Sequence, residues 1–177
     1  MSNIKKLWFK CWLFFRWLYF DLSGKEASIS TVKKLQRKAE RLWKQVVLLR
    51  DGKECQVKKK FPYIKTSHTD TYQVDHCFSR RYKRTFLEIA NGTVVCSACN
   101  RNKQYNDTIN LAIHEIRQAE EGEVYDRLRS EIEQGGAFIK WRNIGWLEDK
   151  IETLELLKQD YTKNYTEQKI PDWGWTD

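Results

Sequence analysis

The sequence is poor in proline and glycine and contains only three histidines. Two prolines and eight glycines among 177 residues leave room for long helices. Five cysteines in a chain of this length do not form a secreted disulfide scaffold, so a reducing cytosol is expected. The chain is 41% hydrophobic and 32% charged, which predicts a globular fold rather than a disordered chain.

No apolar run is long enough to span a bilayer. The most apolar stretch, Leu7 to Phe20, holds eight aromatic residues but is interrupted by Lys10 and Arg16. Small residues of the kind that mark a secretory cleavage site are not evident at 21–24. Three interpretations stay open for this arm: packing on the body or a second subunit, a membrane-surface helix through residues 5–20, or a nucleic-acid contact by stacking aromatics.

Charge is distributed unevenly along the chain. Residues 1–65 hold 17 Lys/Arg against 5 Asp/Glu, residues 66–105 hold 6 against 3, and residues 106–177 hold 9 against 16. The formal net charge of +8 therefore combines a basic front half with an acidic rear half. A basic half suits a polyanionic partner, and the simpler interpretation is a set of solvated lysines.

A helix is predicted from Thr31 to Leu49, with Ser30 as its N-cap. Its apolar face repeats at three- and four-residue steps: Val32, Leu35, Ala39, Leu42, Val46 and Leu49. Its other face is basic, and is either solvated surface or a phosphate track: Lys33, Lys34, Arg37, Lys38, Arg41 and Lys44.

Shorter elements are predicted downstream. Strands are expected at 72–77 and 92–95, with a helix opening near Ser97 or Asn100. Helical patterns follow at 108–133 and 146–165, and Gly135-Gly136 breaks the chain between them.

The residues that carry chemistry lie between Asp75 and Lys103. An Asp75-His76 pair ends the first strand, Asn91 follows in a turn, and a Cys-x-x-Cys knuckle precedes Asn100. Imidazole accepts a proton from water near neutral pH, and carboxylate and amide oxygens suit a hard cation. This set of groups supplies what phosphodiester hydrolysis needs.

Residues 50–107 resemble HNH endonucleases, with His76, Asn91 and Asn100 at the three motif positions. The resemblance implies a ββα-metal finger, in which two short antiparallel strands precede a helix. It also implies that His76 is the general base, that Asp75 and Asn100 hold one Mg²⁺ or Mn²⁺, and that Asn91 orients His76. The predicted fold class is α+β and mostly helical, with a small ββα-metal core flanked by N- and C-terminal helices.

A structural zinc site is predicted from the cysteines. Cys96 and Cys99 form one knuckle, and Cys55 begins a second that has Lys58 where another cysteine would stand. Because structural zinc takes four ligands, His68 is predicted as the fourth, with Cys55, Cys96 and Cys99 as the others. Two alternatives stay open: Cys77 as the fourth ligand, or thiols that are packed without zinc.

Residues 31–165 also resemble the phage recombination endonucleases NinG and Rap, through Leu42-Trp43, 49–55, His76 with 79–81, and 96–100. Those proteins often have Gly in place of Asp75, which moves this site toward the wider HNH pattern. The resemblance implies branched DNA as substrate and a phage protein acting in the bacterial cytoplasm. The predicted division is an arm and linker at 1–30, a basic helix with nuclease core at 31–107, and a helical region at 108–177.

DNA contacts are predicted from basic residues around the core: Arg80, Arg81, Lys83, Arg84, Arg101, Lys103, Lys34, Arg37, Lys38 and Arg41. One finger makes one active site, so duplex cleavage would need a homodimer or two visits. Two rival functions remain: a nicking, homing or defence HNH nuclease, and a catalytically silent zinc finger that binds nucleic acid or a protein partner.

Overall fold

Helices form most of the fold, as a computed structural model describes it for residues 29–82, 85–134 and 144–165. The described elements, in chain order, are α1 (Ile29–Asp51), α2 (Gln56–Lys60), β1 (Tyr72–His76), a 3₁₀ turn (Ile89–Asn91), β2 (Gly92–Cys96), α3 (Ser97–Asn102), α4 (Asp107–Glu121), α5 (Glu123–Glu133) and α6 (Ile144–Tyr165). The prediction of a mostly helical α+β chain with a small sheet is confirmed. The predicted N-terminal arm, the Gly135-Gly136 break and residues 171–175 lie outside the described ranges.

Strands β1 and β2 form a two-stranded antiparallel sheet. Asp75 pairs with Thr93 and His76 with Gly92, so the acid–imidazole pair lies at the end of β1 beside the start of β2. Every residue of β2 is buried, and α3 follows it without a loop. The order strand, strand, helix is the one that the motif predicted.

Helix α1 packs on this sheet and on α6, and its buried face differs in part from the predicted one. Trp43 and Val47 are fully buried, whereas Leu42 and Leu49 are only half-buried. Gly92 explains the difference, since a Cβ there would lie 2.6 Å from Val47 Cγ2 and 2.8 Å from Trp43 Cζ2. The missing side chain lets the two large side chains approach the strand backbone.

The helical pattern predicted over 108–133 is two helices, α4 and α5, with a break at Gly122. Gly122 has φ +46°, a backbone conformation that favours glycine. The Asn106 side chain caps α4 by accepting hydrogen bonds from the backbone N–H of Thr108 (3.0 Å) and Ile109 (3.4 Å). Ile109 and Ile113 pack against the buried cysteines, so side chains on both sides of residue 107 share a core. The predicted division at residue 107 stays a prediction.

Within the described part of the chain, none of the helices has both the length and the apolar character that crossing a membrane requires.

Candidate metal centre and the adjoining polar site

Four side chains that are distant in sequence converge at one point. The ligand atoms of Cys55, His68, Cys96 and Cys99 all lie within 4.8 Å of one another. The three cysteines are buried, and His68 closes the cluster from a half-buried loop position. All four are the ligands predicted from the sequence, and the cluster could hold a metal ion such as zinc.

Three of the six distances between ligand atoms of this Cys₃His cluster match the edges of a zinc tetrahedron. Cys55 Sγ lies 3.7 Å from Cys99 Sγ, and His68 Nδ1 lies 3.5 Å from Cys96 Sγ and 3.4 Å from Cys99 Sγ. Zinc bonds of about 2.3 Å to sulfur and about 2.0–2.1 Å to nitrogen give tetrahedral edges of about 3.8 Å (S–S) and about 3.6 Å (S–N). The donor set therefore has the size and chemistry of a structural zinc site.

Local structure holds each ligand in place. Cys55 precedes α2, while Cys96 ends β2 and Cys99 lies in the first turn of α3, where its N–H donates to Cys96 Sγ at 3.4 Å. The His68 loop is tied to α3 by hydroxyl groups: Ser97 Oγ lies 2.8 Å from Thr69 Oγ1 and 2.7 Å from Thr71 Oγ1. Three separate segments therefore meet at one point: the start of α2, the His68 loop, and the junction of β2 with α3.

Within the cluster, Cys55 and Cys99 share one proton unequally. A hydrogen bond with Cys99 lowers the pKa of Cys55 to about 4, and the same pairing raises the pKa of Cys99. A thiolate at this point is what a metal ion requires. Cys77 instead lies 3.7 Å from Thr93 Oγ1, and burial raises its pKa to about 11. Cys77 is therefore a core residue here rather than the fourth ligand.

His76 is buried between two aromatic rings. Its ring lies 4.2 Å from the Trp43 ring and 4.6 Å from the Phe86 ring, nearly parallel to both, and the residue is 4% exposed. Its Nε2 lies 3.1 Å from the Phe86 carbonyl oxygen. Since a carbonyl only accepts, Nε2 carries the proton and Nδ1 is the basic nitrogen. Nδ1 has no hydrogen-bond partner among the described residues.

Asp75 contacts the ammonium group of Lys103, the C-cap residue of α3. Lys103 Nζ contacts Asp75 Oδ2 and donates to the His76 carbonyl oxygen at 3.0 Å. Burial raises the pKa of Asp75, while the Lys103 ammonium acts in the opposite direction. Asn100 is half-buried one turn before Lys103, and residues three apart on a helix are neighbours on one face. The predicted cation ligands thus belong to elements that meet.

Asn91 hydrogen-bonds to backbone groups on both sides of the loop that follows β1, and its predicted role in orienting His76 stays a prediction. Its Oδ1 accepts from Phe78 N–H at 2.7 Å, and its Nδ2 donates to the Thr85 carbonyl at 3.0 Å. Its own carbonyl accepts from Cys77 N–H at 2.9 Å. Asn91 therefore fastens both ends of the loop that follows His76.

The predicted DNA-contacting residues come from the loop after β1, from the region of α3 and from α1. Arg80 and Arg81 are exposed after β1, and Arg101 is exposed on α3, whereas Lys103 is turned to Asp75. Four basic residues of α1 are exposed: Lys34, Arg37, Lys38 and Arg41. Lys38 pairs with Glu155 of α6 at 2.8 Å. Lys83 and Arg84 lie outside the described residues.

Sequence reasoning missed two supports of this site. One is the aromatic pair around His76, of which Trp43 also donates its Nε1–H to the Glu88 carbonyl at 2.9 Å. The other is the end of α1, where buried Asp51 accepts from Val94 N–H (2.9 Å) and Arg50 donates to the carbonyls of Ile89 (2.8 Å) and Gly92 (2.5 Å). Arg50 and Asp51 end α1, and the sequence alone assigns a partner to neither.

The buried imidazole predicts a pH dependence of stability. Burial, assisted by the Arg80 charge, lowers the pKa of His76 to about 3, against about 6.5 in an unfolded chain. Between these values the unfolded state binds more protons, so stability is lost as pH falls below about 6.5. From about pH 7.5 to about pH 5.5, this group should lower the free energy of unfolding by about 1.4 kcal/mol.

Urea unfolding of the wild type and of His76→Phe at both pH values tests this expectation. Protonation of the metal ligands affects both proteins, so the difference between them isolates His76. Equal losses of stability in the two proteins would show that His76 is not held neutral by the fold.

No family model, curated protein or solved structure matches the chain. Any assignment of function therefore rests on the site itself.

Proposed function

We propose that the protein is a metal-dependent endonuclease of the HNH type, which hydrolyses DNA phosphodiester bonds. One observation carries the proposal: Asp75 and His76 end a strand at the point where Lys103, the residue that follows α3, contacts Asp75. Asn91 fastens the loop between them and β2, and the Cys₃His cluster fixes both ends of the hairpin-to-helix unit. In this proposal, zinc occupies that cluster as a structural ion.

Each residue then has one role. The oxygens of Asp75 and Asn100 would hold one Mg²⁺ or Mn²⁺, which would polarise the scissile phosphate and stabilise the leaving oxygen. His76 Nδ1 takes the proton of the attacking water, because Nε2 is engaged with the Phe86 carbonyl. Asn91 keeps the loop after His76 in register. Because burial lowers the pKa of His76 to about 3, the ring would act as a base only when Phe86 or Trp43 shifts from it and water reaches it.

Charge supports a nucleic-acid substrate. Exposed Arg80, Arg81 and Arg101 surround the ends of β1 and α3, and the basic face of α1 precedes the core. Counterion release from such residues supplies sequence-independent affinity for DNA. We propose branched or recombining DNA as the substrate, in a phage protein that acts in the bacterial cytoplasm; cutting of one defined duplex sequence would instead favour a nicking, homing or defence enzyme.

The burial of His76 favours a second candidate, a zinc module that binds nucleic acid without cutting it. An imidazole that is 4% exposed and stacked against two aromatic rings is shielded from water, as in a core residue. In that case the basic surfaces bind DNA, and the Asp75–Lys103 pair is structural.

Cleavage assays distinguish the two candidates. Zinc-loaded protein is incubated with supercoiled plasmid and labelled Holliday junctions, linear duplexes and single strands in Mg²⁺. We expect cutting by the wild type, and a loss of at least about ten-fold in Asp75→Asn, since the amide removes the negative charge that holds the cation. Asp70→Asn is the matched control, because Asp70 is an exposed acid outside the site and its change should leave cutting intact.

Binding without cutting by the wild type in both Mg²⁺ and Mn²⁺ would reject the nuclease and leave the binding module. Equal cutting by Asp75→Asn and the wild type would reject the cation role of Asp75.

A further inference from the structure

Lys103 lies where a cation would bind in the polar site. Its Nζ contacts two oxygens, the Asp75 carboxylate and the His76 carbonyl, and these are the ligand types that a hard cation takes. The Lys103 and Asp75 side chains are only 19% and 12% exposed. The pair is thus shielded from water more than an ordinary surface ion pair is, and its electrostatic energy is correspondingly larger.

The other described basic residues near the site form no such shielded ion pair with Asp75. Arg101 is exposed two residues earlier on the same helix, and Arg80 lies 4.0 Å from Glu40, a partner outside the site. Among the described residues, Lys103 is the one basic side chain within salt-bridge distance of Asp75. One carboxylate cannot hold a lysine ammonium and a divalent cation at the same point, because the two positive charges repel and need the same oxygens.

We propose that Lys103 occupies the cation position in the free protein, competes there with the divalent cation, and is transferred to a DNA phosphate when the cation binds. The inference deepens the proposed function and rests on its cation site. The lysine stem is flexible enough to exchange a carboxylate for a nearby phosphate without movement of the backbone. Lys103 would thereby couple cation binding to substrate binding, since each event favours release of the ammonium from Asp75.

Mn²⁺ binding tests the competition. The free Mn²⁺ signal is measured by electron paramagnetic resonance in titrations of zinc-loaded wild type, Lys103→Met and Arg101→Met. We expect Lys103→Met to bind Mn²⁺ at least about ten-fold more tightly, because its carboxylate no longer has a competing charge. Arg101→Met removes the same charge from an exposed position, and its affinity should change less than about three-fold. Zinc content and circular dichroism establish that each variant is folded.

A double variant, Asp75→Asn with Lys103→Met, locates the ion. The tighter binding should disappear in this protein. If it persists, Mn²⁺ binds elsewhere and the inference fails. It fails too if Lys103→Met binds Mn²⁺ no more tightly than the wild type does.

Plasmid cutting by the same samples separates this inference from the proposed function. Lys103→Met should cut more slowly than the wild type in spite of its tighter cation binding, since it lacks the phosphate contact. A wild type that cuts while Lys103→Met shows unchanged Mn²⁺ affinity leaves the nuclease standing and overturns the competition. Tighter Mn²⁺ binding by Lys103→Met in proteins that never cut supports the competition and overturns the nuclease.

Discussion

Cys99→Ser should abolish zinc binding and destroy the fold around β2 and α3. Cys99 Sγ lies within 3.7 Å of Cys55 Sγ and 3.4 Å of His68 Nδ1, so its loss removes the sulfur that both other segments approach. The cluster is part of the buried core with Val57, Val95 and Ile109, and binding of a structural metal ion contributes directly to folding. We expect the free energy of unfolding to fall by more than about 4 kcal/mol.

Zinc content by mass spectrometry and thermal unfolding by circular dichroism check this outcome. Cys77→Ser is the matched control, because Cys77 is also a buried thiol but lies outside the cluster. It should keep one equivalent of zinc and lose only about 1–2 kcal/mol of stability. If Cys99→Ser and the wild type unfold alike, before and after chelation, the thiols are packed without a metal ion.

The Cys₃His cluster was predictable because a structural zinc ion takes four ligands, and this number constrains residues that are distant in sequence. The Cys96–Cys99 knuckle is local, and Cys55 alone upstream left one ligand to find. The chain has few histidines, and the coordination number of zinc required one more ligand, so His68 was predicted. No sequence spacing places the His68 loop beside α3. The loop is held there by tertiary contacts between the hydroxyl groups of Ser97, Thr69 and Thr71, which the sequence does not reveal.

The surroundings of Asp75 and His76 were not predictable in the same way. Helical periodicity located the apolar side of α1 to within about one residue, and favoured Leu42 where the structure buries Trp43. The decision depends on Gly92, which lies on another element and leaves space for the indole. Lys103 was predicted as a phosphate contact, because a sequence cannot show that its side chain turns back to a carboxylate 28 residues earlier.

His76→Phe should stop DNA cleavage while leaving the fold intact. Phenylalanine keeps a flat ring against Trp43 and Phe86, so the fold should persist. The Phe86 carbonyl loses the hydrogen bond from Nε2, so we expect stability near about pH 7.5 to fall by about 1–3 kcal/mol. It has no nitrogen to accept a proton from water, and general-base catalysis contributes about 10²–10⁴-fold to rate. If His76 is the base, single-turnover cutting falls by that factor and DNA affinity is unchanged.

The same substitution also tests the rival, purely structural role of His76, for which the opposite result is expected: an unchanged cutting rate. If His76 serves only as a ring in the stack, phenylalanine satisfies that role and cutting continues at the wild-type rate. His114→Phe is the control for the loss of a histidine: His114 lies on α4, with its Nδ1 against the Tyr125 hydroxyl and its ring 5.2 Å from Phe78, and its change should leave cutting intact. A loss confined to His76→Phe would therefore show that a buried imidazole is uncovered for catalysis, because a ring held permanently in this stack cannot take a proton from water.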